Sequence, residues 1–153
     1  MDEAKTPLTA KLVASLYTEA MLLADEARAY FDRQGRDERD SLDPLVRVGF
    51  SCESLKVTTR LMHVIAWLLT QRAVESGEIS PAQARRPSRR LGEAPASEPE
   101  SIARLPAAAA ALIEASQELY ARVRRLDEGG GVSATTPQPS PARSLLSRLE
   151  RSL

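Results

Sequence analysis

The sequence predicts an all-α protein, and three observations support this class. Alanine, leucine, arginine and glutamate are abundant, whereas runs of the β-branched residues that favour strands are scarce. Apolar residues recur every three or four positions in three stretches, which is the period of a helix. Proline and glycine cluster between those stretches and interrupt them. Together these features predict a three-helix bundle with a long proline- and arginine-rich loop between helices 2 and 3 and a disordered C-terminal tail.

The first predicted helix covers residues 8–34. Its apolar residues follow a 4-4-3-4-3 spacing, which forms one stripe for burial against the other helices. Gly35 is the predicted C-terminal stop. The stripe consists of Leu12, Leu16, Ala20, Leu23, Ala27 and Tyr30.

The second predicted helix covers residues 44–76. Asp43 followed by Pro44 is a typical helix start, and Gly49 predicts either a bend or a fresh start at Ser51. The most apolar run of this helix, LMHVIAWLL, has nine residues and includes a histidine. A spanning helix needs roughly 20 apolar residues, so no membrane insertion is predicted.

The third predicted helix covers residues 101–127 and follows a loop with four prolines and two glycines, in which SPAQA is expected to form a short turn. Pro106 predicts a kink, or a true start near Leu105. The helix carries a heptad seam with regular 3-4 spacing. The seam consists of Ile102, Leu105, Ala109, Leu112, Ser116, Leu119, Val123 and Leu126.

Residues 128–153 are predicted to form a flexible tail beyond a bundle domain of residues 8–127. The stretch DEGGGVSATTPQPSPAR has the glycine, serine and proline content of a linker. The decamer that follows, SLLSRLERSL, would place Leu145, Leu146, Leu149 and Leu153 on one face as a helix, but alone it is too short to be stable. It is either a docking peptide for a partner or a frayed end.

A helical wheel divides the second helix into an apolar half and a polar arc. The apolar half, predicted to contact both other helices, contains Val57, Leu61, Met62, Val64, Ile65, Leu68 and Leu69. The polar arc contains Glu53, Lys56, Arg60, His63 and Gln71.

Trp67 falls within that polar arc, between Arg60 and His63. Three interpretations remain open for this indole: the proline-rich loop covers it, it lies in a homodimer interface, or it anchors a surface for another protein. Tryptophan and arginine frequently dominate the binding energy of interfaces, which motivates the last two.

Catalytic chemistry is not predicted. Cys52 and His63, the only cysteine and histidine, are eleven residues apart, or roughly 16 Å along a helix, which is too far to share a proton. A single histidine cannot supply a helical zinc pair, and the glycine run EGGGV follows a helix instead of opening one. Cys52 is interpreted as a small packed side chain and His63 as a solvent-facing or interface residue. No catalytic residue, metal or cofactor is predicted.

The charge balance is neutral, with 21 lysines and arginines against 21 aspartates and glutamates. This balance provides no general attraction to nucleic acid. A local basic run, RRPSRRLG, contains Arg85, Arg86, Arg89 and Arg90 and is interpreted as a solvated loop, a site for an acidic protein or, without interleaved aromatics, a weak nucleic-acid footprint. The acidic N-terminus lacks a signal-peptide pattern and the single cysteine suits a reducing compartment, so a cytoplasmic location is predicted.

Two strings in the chain are distinctive: SLYTEAMLLADEARAYFD at residues 15–32 and FSCESLKVTTRLMHVIAWLLTQRAVESGEIS at residues 50–80. They resemble the RcdA family, the regulators of CtrA degradation from alphaproteobacteria. The resemblance extends over residues 9–92 and is looser in the third helix. The tail is similar only in its general character.

The resemblance implies a non-enzymatic adaptor in cell-cycle proteolysis. Such proteins are three-helix bundles that form homodimers and carry a disordered tail. They join the ClpXP protease after CpdR has primed it, then deliver substrates directly or recruit the cyclic-di-GMP-binding adaptor PopA, which brings CtrA. They are also associated with the cell pole. The alternative is a homo-oligomeric structural or interaction module without a proteolytic role.

The candidate partner-binding residues follow from helical geometry alone. No nucleic acid is expected among the partners. The candidates are Lys56, Arg60, His63, Trp67, Gln71, Arg85, Arg86, Arg89, Arg90, Leu145, Leu146 and Leu149.

Overall fold

The structure is a computed structural model that describes residues 2–130 and 148–152, with side chains described from residue 10 onward. No strand occurs in these ranges, so the all-α prediction is confirmed. Residues 148–152 are also helical. The other elements are α1 (Asp2–Ala29), a π-helical turn (Tyr30–Gln34), α2 (Gly35–Asp40), α3 (Pro44–Glu75), α4 (Pro81–Ala84), a 3₁₀ turn (Pro87–Arg89), α5 (Pro99–Ala103) and α6 (Ala107–Glu128).

The chain remains helical beyond Gly35, so the predicted stop at this glycine is wrong. The π-helical turn leads directly into α2, and Gly35 has a helical φ of −64°. A Cβ at this position would lie 2.8 Å from the Tyr30 carbonyl oxygen and 3.3 Å from Phe50 Cζ. Glycine is therefore needed here for close packing, whereas a helix stop uses its freedom to adopt positive φ.

The helix α3 begins at Pro44 and ends at Glu75, one residue before the predicted end. Asp43 precedes it in an extended conformation, and proline occupies a first-turn position where a missing N–H costs nothing. Gly49 does not interrupt the helix. The 32 residues of α3 span about 48 Å and make it the longest element. Gly77, with φ 79°, follows its end.

The segment between α3 and α6 contains more regular structure than the sequence predicted. Ser80 caps α4 through a capping box with Gln83, in which each side chain bonds the other residue's backbone N–H. A second short helix, α5, ends at Ala103. The predicted third helix is therefore divided, because Pro106 has no N–H and α6 begins only at Ala107.

The three long helices α1, α3 and α6 contact one another, and α3 has the more extensive contacts with both others. Val13 rather than Leu12 begins the buried stripe of α1, because Leu12 remains exposed. The heptad seam of α6 is buried or partly buried throughout. Among residues 2–130 and 148–152, none of the helices has the length and apolar content needed to cross a membrane. The core includes Val13, Leu16, Ala20, Val57, Val64, Leu68, Leu112, Ile113, Leu119 and Val123.

Candidate partner-binding surfaces

Residues 91–97 form an extended strap that is held on α3 and α6 by hydrogen bonds to its backbone. Tyr120 Oη donates to the carbonyl of Gly92 at 2.6 Å. Arg60 Nη2 donates to the carbonyl of Pro95 at 2.9 Å, and Lys56 Nζ donates to that of Ala96 at 3.2 Å. The strap therefore closes the groove between the two helices mainly through polar contacts.

A buried polar cluster lies beneath the end of the strap. Arg60 is only 2% exposed and donates to Ser97 Oγ at 2.5 Å and to Ser116 Oγ at 3.2 Å. The Ser97 hydroxyl in turn donates to the carboxylate of Glu53, which also pairs with Lys56 Nζ at 3.1 Å. Burial lowers the pKa of Arg60, and the nearby Glu53 carboxylate opposes this shift. One serine thus joins a buried cation to a buried anion, as buried charges require.

A second cluster surrounds the indole of Trp67. Its Nε1 donates to Asp127 Oδ1 at 2.9 Å, and Arg90 Nε donates to the same oxygen at 2.8 Å. This hydrogen bond with Asp127 raises the pKa of Arg90. Trp67 is 2% exposed, and residues 87–92 line the cleft beside it. The placement favours the interpretation in which the loop covers the indole.

The helical wheel placed the polar arc away from the two neighbouring helices, and this is wrong for Glu53, Arg60 and Gln71, which are all buried. The physical reason is that α6 and the strap supply hydrogen-bonding partners, so polar groups can be buried without a large penalty. A sequence signal for this arrangement exists: one buried row follows 4-3 spacing through both polar and apolar residues. Its members are Glu53, Val57, Arg60, Val64, Trp67, Gln71 and Val74.

The prediction that Met62 and Leu69 face the core is also wrong, because their exposed fractions are 64% and 47%. They continue a row of exposed apolar residues at seven-residue intervals, which we call the outer stripe: Val48, Leu55, Met62 and Leu69. Cys52, predicted to be packed, is exposed next to this row. The row leaves α3 with two apolar sides, and only one of them contacts the core.

The arginine loop, residues 85–90, contributes a basic surface beside the Trp67 cluster. Arg85, Arg86 and Arg89 are exposed, whereas Arg90 is paired with Asp127. A cleft of about 630 Å³ runs between the loop and α3. His63 is half-buried at its wall, packed so closely under Gly92 that a Cβ there would lie 2.3 Å from Nδ1. His63 therefore positions the strap as well as lining the cleft.

The tail candidates are only partly described. Leu145 and Leu146 lie outside the described residues, as do residues 131–143 of the predicted linker at 127–143, whose first two residues belong to α6. Leu149 belongs to the helical residues 148–152 and is 59% exposed.

Metal ligands do not converge within the described part of the chain, where no group of three or more histidine, cysteine or acidic side chains could hold an ion. The acidic groups in the two buried clusters instead contact arginine, lysine, serine and tryptophan. The arrangement of these clusters stabilises the strap, and the exposed surfaces are the ones available to other molecules.

Comparisons with known proteins agree with this architecture. The chain matches the family described as "Protein of unknown function (DUF1465)" over residues 4–153. It is also similar to RcdA from Caulobacter crescentus CB15, whose crystal structure matches with 38% sequence identity and a TM-score of 0.63 over 80% of this chain and 92% of that one. No curated protein sequence matches the chain significantly. The resemblance predicted from the two strings is confirmed, and the chain belongs to the RcdA family, which is the family described as DUF1465.

Proposed function

We propose that this chain is a non-enzymatic protease adaptor. It binds the ClpXP protease after CpdR has primed it, and it delivers cell-cycle regulators such as CtrA, either directly or by recruiting a PopA-like adaptor. The observation that carries the proposal is that one helical scaffold of the RcdA family exposes separate surfaces of unlike chemistry: a basic loop and an apolar stripe. An adaptor needs at least two such surfaces.

In this proposal residues 8–127 act as a three-helix bundle that orients those surfaces, and residues 128–153 act as the tail. The protein works in the cytoplasm, concentrated at the cell pole. Pairwise packing of α1, α3 and α6 supports the bundle, because helices that share one core hold their outer faces at constant positions.

The arginine loop is suited to an acidic protein partner. Arg85, Arg86 and Arg89 are exposed and form no ion pair within the described residues. Arginine forks pair with carboxylates in two parallel hydrogen bonds, and opposite charges accelerate encounter. The strap and the 3₁₀ turn hold the backbone that carries these side chains, which reduces the entropy lost on binding.

The outer stripe supports a homodimer. Apolar residues at seven-residue intervals form a straight row along α3. The same row of a second copy can pack against it without bringing charged side chains into contact. Met62→Glu places a charge at its centre. We expect this variant to sediment as a monomer at concentrations where the unmodified chain is dimeric, while Ala121→Glu, at an exposed position on α6, does not alter the distribution. A monomeric unmodified chain would refute the dimer.

Reconstituted degradation tests the adaptor function. Purified ClpXP, CpdR, cyclic-di-GMP-bound PopA and CtrA are incubated with and without the chain, and the CtrA half-life is measured. We expect a several-fold shorter half-life with the chain. The double variant Arg85→Glu/Arg86→Glu should lose this effect, whereas Arg33→Glu/Arg36→Glu, which makes the same change in charge at exposed positions, should retain it.

The alternative function is a homo-oligomeric structural or interaction module, and the outer stripe is the observation that favours it. The same experiments separate the two functions. Self-association without any effect on CtrA half-life or on another ClpXP substrate would overturn the adaptor proposal and support the module.

A further inference from the structure

The side of α3 that faces α1 carries a groove, which is distinct from the strap and from the cleft between the arginine loop and α3. It has a volume of about 360 Å³ and lies between α1 and α3. Ala27 and Leu61 are buried in its floor, and Phe31 and Ile65 are partly buried beside them. The apolar lining continues to two exposed methionines, Met21 and Met62, whose flexible side chains adapt to an incoming apolar surface.

We infer that the C-terminal decamer, residues 144–153, docks in this groove of its own chain as a short amphipathic helix. Residues 148–152 are already helical, and Leu149 is exposed on that helix. Leu145 and Leu146 precede Leu149 by four and three residues in the sequence, which is the spacing of a single helical face. Such a face fits an apolar groove as a helix-in-groove contact.

The dimensions of groove and decamer agree. The groove extends from Met21 in α1 to Asp32 in the π-helical turn, and along α3 from Ser54 to Ile65. Each of these segments rises by about 16 Å, and a helix of ten residues is about 15 Å long.

The charges at the edge of the groove complement those of the decamer. The edge formed by α1 and the π-helical turn presents Asp25, Arg28 and Asp32, and none of the three forms an ion pair within residues 10–130. The α3 edge is neutral there, with Ser54 and Thr58. In the decamer, Arg148 flanks the leucine face on one side and Glu150 on the other. Arg148 therefore faces Asp25 and Asp32, and Glu150 faces the hydroxyl groups of α3.

The connecting chain is long enough for this contact. Asp127, near the end of α6, bonds Trp67, which is only two residues from the Ile65 end of the groove. The 14 residue-to-residue steps from Gly130 to Ser144 reach up to about 48 Å, which exceeds the roughly 20–24 Å across two helices. Tethering also raises the effective concentration of the decamer to about millimolar, which compensates for its small contact area.

Docking has a regulatory consequence, because Met62 belongs to both the groove and the outer stripe. A docked decamer covers the centre of that stripe and a released decamer exposes it. The tail thereby controls access to a surface of its own scaffold, whichever protein binds there.

Methionine NMR tests the contact directly in the full chain. The sequence contains three methionines, of which Met21 and Met62 line the groove and Met1 serves as the reference. The chain is labelled with ¹³C at the methionine methyl groups, and a nitroxide is attached at Ser152→Cys in a Cys52→Ser background. We expect at least twofold broadening of the Met21 and Met62 signals relative to Met1.

Two controls define the contact. Leu149→Glu in the same labelled chain should restore the Met21 and Met62 signals. A mixture of ¹³C-labelled chain lacking nitroxide with unlabelled nitroxide chain should show much weaker broadening, since the contact is within one molecule and a mixed dimer meets only through the outer stripe. Absence of broadening in the spin-labelled chain, equal broadening of Met1, persistence in Leu149→Glu, or broadening of the same size in the mixture would each overturn the inference. None of these results depends on CtrA degradation, so the docking and adaptor proposals fail separately.

Discussion

One hydroxyl group strengthens the attachment of the strap, because Ser97 links the two buried charges beneath it. Its Oγ accepts a hydrogen bond from Arg60 and donates one to Glu53. Ser97→Ala removes both bonds while leaving the backbone N–H of residue 97 bonded to Gln117 Oε1 at 3.2 Å. The substitution therefore tests the polar cluster without deleting its charged members.

The magnitude follows from what each charged group loses and keeps. Hydrogen bonds to charged groups contribute about 1.5–3 kcal/mol each, so two lost bonds set an upper limit of about 6 kcal/mol. Glu53 keeps Lys56 at 3.1 Å, and Arg60 keeps the Pro95 carbonyl and Ser116 Oγ. We therefore expect the free energy of unfolding to fall by about 3 kcal/mol, a substantial part of the roughly 5–15 kcal/mol typical of a domain.

Thermal unfolding followed by circular dichroism measures this loss. For a domain of this size about 4 °C accompanies each kcal/mol, so the Tm should fall by about 12 °C. Amide hydrogen exchange should also accelerate first in residues 92–97, because the strap loses its anchor before the helices separate. Ser88→Ala, at an exposed serine in the 3₁₀ turn, is the control and should leave both measurements unchanged. A Tm loss below about 2 °C for Ser97→Ala would refute the reasoning.

Three further substitutions test single sites. Burial raises the pKa of Glu75, and its Oε1 accepts no hydrogen bond within the described residues. The folded state therefore binds the proton more tightly, so the cost is present above the unfolded pKa of about 4.3 and absent well below it. Glu75→Gln should stabilise the chain by about 1 kcal/mol at pH 7 but not at pH 3 in urea titrations, and an equal gain at both pH values would contradict this origin. Gly92→Ala should cost about 1–3 kcal/mol and accelerate exchange in the strap, because its Cβ would overlap the His63 ring. Gly49→Ala, whose Cβ meets open space within α3, should instead stabilise by about 0.5–1 kcal/mol, and similar effects of the two changes would show that the overlap is unimportant.

The sequence by itself determined the helical class and the positions of the main helices. The heptad seam of α6 and most of the α1 stripe could be predicted from the sequence, because burial of an apolar side chain stabilises any helical packing. The start at Pro44 and the interruption at Pro106 were also readable, since proline restricts the backbone locally. The two strings near residues 15–32 and 50–80 identified the family.

Only the tertiary structure decided which face of α3 is buried. Hydrophobicity predicted that Met62 and Leu69 would be inside and Arg60 and Gln71 outside, and the structure reverses both pairs. The burial cost of a polar group depends on whether a partner reaches it, and the partners of Arg60 lie 35 to 56 residues away in the chain. Local spacing contains no information about such distant partners. For the same reason, the strap, the Trp67 cluster and the outer stripe became visible only when α6 and the loop were placed against α3.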